Sequence, residues 1–231
     1  MHSRSMWLFS KVGQRAHIGA LRRRGIIYCN TIEYFRGLRD GNLRGDPLEN
    51  CTAFYHPGKS ELRINGTKLN NIVGPIVVYN GPDDVYQTTH LFCVTSIYSG
   101  MEIREDGKIF DPRVSGFGDT MLIIKPAPFM ARVEKAVEKL KQQGTDIELF
   151  KGLVEYVPAG ENQHQMSVLR KADIYAWQEE FRLALRVRNW HGSAFLLEIG
   201  SIADISHVVP IKKFINKVEE LSDGQVCLNF S

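Results

Sequence analysis

The stretch Lys171-Ala-Asp-Ile-Tyr-Ala-Trp-Gln-Glu-Glu-Phe-Arg-Leu-Ala-Leu-Arg-Val-Arg188 decides how this chain is read. From Phe181 onward, apolar and basic residues alternate. Phe181, Leu183, Leu185 and Val187 fall on one face of a strand; Arg182, Arg186 and Arg188 fall on the other. Gln178 and Glu180 stand two residues apart at the mouth of that strand, on one face. A carboxylate held there can face a cleft, orient a ligand or stabilise a cation. It can also be the solvated start of an edge strand. Arg182 points to the same side as Glu180: an ion pair between them would lower the carboxylate's pKa and keep it charged, or would make Glu180 a structural ion-pair partner alone.

The segments around this strand read as a mixture of helices and strands. Met6 to Ser10 is a short strand, and Gly13 to Arg24 has helical spacing with His17, Ile18 and Leu21 on one side. Gly25 suits a helix C-cap, and Ile26 to Cys29 is a buried strand. Thr31 is an N-cap candidate for a helix reaching Arg39. Asp40 to Asn50 reads as a polar loop, and Gly81 to Thr89 as a surface loop. Leu62–Ile64, Ile72–Tyr79, His90–Ile97, Thr120–Ile124, Phe150–Val157, Ala194–Ile199 and Ile202–Val209 read as strands, and 108–110 as one arm of a hairpin. Phe129 to Gln143 carries the clearest helical period. Ile211 to Leu221 reads as a helix or tail. Strands and helices do not alternate as a doubly wound fold requires. The expectation is α+β: one domain over 1–231, with a mixed, mostly antiparallel sheet and a few short helices.

Composition fits a folded protein: 231 residues, 43% hydrophobic, 24% charged, net charge +3. That charge is too small to argue for nucleic acid by itself. Cys29, Cys51, Cys93 and Cys227 form no Cys-x-x-Cys pair, so a reducing, cytoplasmic setting is expected. No apolar run reaches membrane-spanning length, and the N-terminal apolar stretch is too short for a signal peptide. Nucleotide-fold glycine motifs, the zinc protease motif and the hydrolase elbow are missing, and the histidines lack metal-ligand spacing, so no metal is expected. His164 and His191 read as solvated.

Three patches carry chemistry. The first is the strand–helix–strand opening, which gathers Ser10, Lys11, Tyr28 and Asn30 at strand ends if the two strands pair. The second is Tyr34-Phe-Arg-Gly-Leu-Arg-Asp-Gly-Asn-Leu-Arg-Gly-Asp-Pro-Leu-Glu49. It packs Arg36, Arg39, Arg44, Asp46 and Glu49 into a Gly-rich loop, where arginine forks can clamp a diphosphate or pair locally. The third is Gln178-x-Glu180.

Together these patches resemble bacterial defence-associated proteins of the DUF2971-like group, and more distantly the ADP-ribosyltransferase superfamily. The matching parts are Phe9 to Lys11, Gly25 to Tyr28, Asp46 to Glu49, and Tyr175 to Arg182. The resemblance implies an ADP-ribosyltransferase-like domain with NAD as substrate and a nucleic acid or protein as acceptor. It also implies the role of a toxin or antiviral effector, with an antitoxin as a possible partner. The superfamily usually has His or Arg in the first strand, where this chain reads Ser10-Lys11. In such a transferase Glu180 would stabilise the oxocarbenium-like ribose, as carboxylates do in sugar hydrolysis. Gln178 would position the acceptor, and Tyr28 or Tyr34 would stack on nicotinamide. Lys11, Arg36 and Arg44 would meet the diphosphate, with Asp46 orienting an arginine. The alternative is a non-catalytic nucleotide-binding or interaction module on a similar scaffold.

Overall fold

The computed structural model describes residues 6–41, 43–79, 84–98 and 110–212. Most of the hairpin arm at 108–110 and of the segment 211–221, as well as Cys227, lie outside the described residues.

Eight antiparallel strands form the main sheet: β1 (Met6–Gly13), β2 (Ile26–Thr31), β3 (Thr89–Tyr98), β4 (Thr120–Ile124), β5 (Ile147–Leu153), β6 (Glu180–Val187), β7 (Phe195–Glu198) and β8 (Ser206–Pro210). Among the described residues four α-helices accompany them: α1 (Arg15–Arg24), α2 (Ile32–Gly37), α3 (Val85–Thr88) and α4 (Pro126–Gln142). The α+β expectation holds at this level: a mostly antiparallel sheet with few helices.

Strand β3 organises the sheet. One of its edges pairs with β6 from Glu180↔Thr95 to Arg186↔Thr89, and β6 pairs in turn with β5. Its other edge forks. Residues Leu8 to Ser10 of β1 pair with Ile97 to Thr95, whereas Asn30 and Thr31 of β2 pair with Leu91 and His90. Strand β1 continues into β4 and β8, and β2 continues into β7. Phe92 to Val94 therefore lies at the crotch between two arms.

Alternation assigns the two faces. Phe9, Ile27, Cys29, Phe92, Val94, Phe181, Leu183 and Leu185 form the large core under α1 and α4. Phe9 sits 6.1 Å edge-to-face from Phe129 and 4.7 Å from Phe181, measured between ring centroids. The apolar side of β6 is thus the core side, as its pattern predicts. However, β6 is an interior strand, and Glu180 and Arg182 are buried as well. The solvated-edge reading of Glu180 is corrected: loop 38–50 and the 3-10 turn Asp173–Gln178 cover that end of the second face.

Local signals mostly survive. Gly25 caps α1 at φ +64°, and a Cβ there would meet the Gly200 carbonyl oxygen at 1.7 Å, so glycine is required. The Thr31 hydroxyl accepts the Tyr34 N–H at 3.1 Å. Pro126 stands in the first turn of α4, where its missing N–H costs nothing. Three expectations fail. His17 is exposed, so only Ile18 and Leu21 bury α1. Residues 85–88 form α3 with Tyr86 and Thr88 buried. Phe150–Val157 divides into β5 and a separate strand, Glu155–Val157, which pairs in parallel with Arg170–Ala172.

Candidate functional site

The second face of the sheet carries Ser10, Tyr28, Asn30, Glu180 and Arg182. The registers fix this: Asn30 stands opposite Leu91, Leu91 opposite Ala184, and Ser10 and Glu180 both opposite Thr95. On this face a buried charged cluster closes the mouth of β6.

Arg182, 1% exposed, is its hub. Its Nε donates to one Glu180 oxygen at 2.9 Å. Its Nη1 and Nη2 donate to the two oxygens of Glu49 at 2.6 and 3.1 Å, and Nη1 also reaches the Val168 carbonyl at 2.6 Å. The other Glu180 oxygen accepts from Lys171 Nζ at 3.4 Å, and the same ammonium donates to Gln178 Oε1 at 2.9 Å. The Glu180 N–H donates to the Tyr156 hydroxyl at 3.0 Å. Burial alone raises a carboxyl's pKa. Here the opposing charges of Arg182 and Lys171 overcome it and hold Glu180 well below the usual carboxylate range.

Gln178 is not on the strand. It ends the 3-10 turn, and Glu179 at φ +44° reverses the backbone before β6 begins. Its amide spans Lys171 and the Leu43 carbonyl, the latter at 2.8 Å. That contact, with Tyr175 Oη donating to the Gly45 carbonyl at 2.9 Å, straps the 38–50 loop over the cluster. Asp46 and Glu49 are each 2% exposed. Asp46 accepts from the Leu48 N–H at 2.9 Å. Burial and then the Glu49 charge push its carboxyl up to about 6, against the pull of Lys171.

The strap's arginines are committed elsewhere. Arg36 lies 4.0 Å over the Tyr79 ring and 4.6 Å over Tyr86. Arg39 donates to the Arg36 carbonyl at 2.8 Å, and Arg44 pairs with Asp40 at 2.9 Å. Asp46, expected to orient an arginine of the loop, is instead influenced by Glu49, Lys171 and Arg182. The charges of this loop thus pair locally, the second of its two readings, and its described residues cover the cluster.

Lys11 occupies the fork. Its ammonium donates to the Cys93 carbonyl at 2.7 Å and lies 4.6 Å from the Phe92 ring centroid, so it closes the crotch where strand pairing stops. Burial lowers its pKa. Ser10 is 1% exposed, and among the described residues its Oγ has no hydrogen-bond partner. An unpaired buried hydroxyl is a cost. Ser10→Ala is therefore expected to leave the denaturant midpoint unchanged or raise stability by up to about 1 kcal/mol. Tyr28, opposite Leu196 and 60% exposed, and Tyr34, edge-on to Phe35, lie out on the surface away from the cluster. The structure thus brings Glu180, Gln178 and Asp46 together, but leaves Tyr28, Tyr34, Arg36 and Arg44 outside.

Sequence reasoning missed Tyr156, Trp177 and Arg113. Beside the strap lies an open groove of about 620 Å³, lined by Asp40, Gly41, Leu43, Arg113, Ser115, Gly116, Ile174 and Trp177. It connects to the cluster through Leu43 and the Trp177–Gln178 peptide. Among the described residues, no set of His, Cys, Asp and Glu is placed to hold a metal, and no helix is long and apolar enough to cross a membrane. Comparisons with protein-family models, curated proteins and solved structures find no match to this chain.

Proposed function

We propose that the chain is a nucleotide-binding module on an ADP-ribosyltransferase-like scaffold, in which Glu180 is a structural anchor. One observation carries this reading: both Glu180 oxygens are engaged by buried cations, and the residue is 4% exposed. A carboxylate that stabilises a cationic sugar must face the sugar. This one faces a guanidinium and an ammonium beneath a pinned loop. The open groove next to that loop supports binding without chemistry at Glu180, since small-ligand sites are concave with a few convergent polar groups.

A second reading is NAD-dependent ADP-ribosyl transfer to a protein or nucleic acid, as in a toxin or antiviral effector. It is favoured by one observation: Ser10, Asn30 and Glu180, from distant segments, share one face of a forked sheet. Transfer would require the strap to lift away from Glu180.

Incubation of wild type and Glu180→Gln with labelled NAD and cell extract separates the readings. The binding reading expects no nicotinamide release and no labelled acceptor from either protein. Release by wild type that disappears in a folded Glu180→Gln variant would instead establish the transferase.

A further inference from the structure

We infer that the groove between the strap and the Pro112–Phe117 turn is the seat of a small nucleotide, with its base on Trp177 and its phosphate at Arg113. This inference rests on the nucleotide-binding reading and gives it a location.

Three features on the groove wall point to this ligand class. Trp177 is a braced platform. Phe117 stacks on it at 5.9 Å with the rings 21° apart, and the Arg113 guanidinium lies 4.5 Å from its centroid. Both partners lie on the ring, so a planar base stacks there by displacing the exposed Arg113 guanidinium toward the phosphate.

The groove also carries an exposed guanidinium. Asp111 holds Arg113 through Nε at 2.8 Å and Nη2 at 2.8 Å, and its Oδ1 also accepts the Arg113 N–H at 2.9 Å. The Arg113 side chain is 57% exposed while that of Asp111 is 7% exposed. The carboxylate is therefore beneath and the guanidinium outward, and among the described residues Nη1 has no hydrogen-bond partner, so it can meet an anion. The other carboxylate of the lining, Asp40, is occupied by the Arg44 and Gly45 amides and by Arg44 Nε, so it does not oppose an anionic ligand.

Finally, two glycines line the groove. Gly41 and Gly116 present backbone to the groove, and a Cβ at Gly116 would come within 3.1 Å of Leu43. A volume of about 620 Å³ lies within the ordinary range for small-molecule sites.

Calorimetric titration of the full chain with AMP, ADP, NAD, adenosine and inorganic phosphate tests the assignment. AMP, ADP and NAD are expected to bind, adenosine about tenfold more weakly than AMP, and phosphate alone more weakly still. Trp177→Leu is expected to weaken AMP at least about fivefold, the lower limit of a lost base stack. Ile174→Asp serves as the second variant, because Ile174 is 54% exposed and tolerates substitution. Its carboxylate is expected to weaken AMP more than adenosine. Melting curves confirm folding of each variant. Wild-type binding that persists undiminished in Ile174→Asp and in a folded Trp177→Leu moves the ligand elsewhere; it overturns this assignment and leaves nucleotide binding standing. No binding of any nucleotide by wild type overturns both.

Discussion

Replacing Arg182 by alanine is expected to remove about 3–5 kcal/mol of stability, as judged by urea unfolding. The reason is what the substitution leaves behind. Glu49 loses both of its guanidinium bonds, and Glu180 keeps Lys171 as its one cation, beside the Cys93 thiol. Uncompensated charge in a low-dielectric site is among the largest single-residue costs known. Arg182→Lys is expected to recover only part of the loss, because an ammonium cannot span two carboxylates with a planar fork. The triple variant Glu49→Gln, Glu180→Gln, Arg182→Met removes the charges together and should be far milder than the sum of the single changes. Strict additivity would show that the three residues do not act as a unit.

The second large effect is one of pH. Asp46 has an unfolded-state pKa near 3.8 and a folded-state value of about 6. The native state therefore holds a proton that the unfolded chain has released, and stability falls as pH rises between these values. Above about pH 6.5 the cost is complete, at about 3 kcal/mol. Asp46→Asn retains an oxygen for the Leu48 N–H and removes the charge. Its stability gain over wild type is expected to be close to zero at pH 4 and about 2–3 kcal/mol at pH 7.5, measured as the difference between paired unfolding curves. A difference that stays flat across this range would mean that folding leaves the Asp46 pKa where it is in the unfolded chain. Glu180 has the opposite sign: its depressed pKa supplies stability above about pH 4.5 that is lost as pH falls.

The sequence made the apolar half of this architecture visible. The period-two run from Phe181 to Val187, the four- and three-residue spacing along α4, the Gly25 cap and the Thr31 cap are local signals, and each names its own element. The polar half was obscured. Arg182 finds Glu49 at a separation of 133 residues, a partnership no local window contains. One clue was present: an arginine between Phe181 and Leu183 on an interior strand requires a buried acid, and Asp-Pro-Leu-Glu49 supplies one. Gln178 was misplaced because Glu179 adopts a left-handed backbone conformation, which a non-glycine residue rarely signals. The Gly-rich strap looked mobile because its restraints come from side chains at 175, 178 and 182. The groove was invisible because Arg113 and Trp177 belong to segments joined only by folding.

The forked sheet has a mechanical corollary. Among the described residues no ladder sews the arm of β1, β4 and β8 to the arm of β2 and β7; each is rooted separately in β3, and Lys11 of β1 ties its own arm to the Cys93 carbonyl at the root. The block of β3, β6 and β5 is laced along its length. Both arms nonetheless close over one core, where Phe9 and Leu122 join Ile27 and Leu197, so turning one arm against the other must shear that packing. The fork at Phe92–Val94 lies on the strand that pairs with the mouth of β6, which ties the attitude of the arms to the cluster holding the strap.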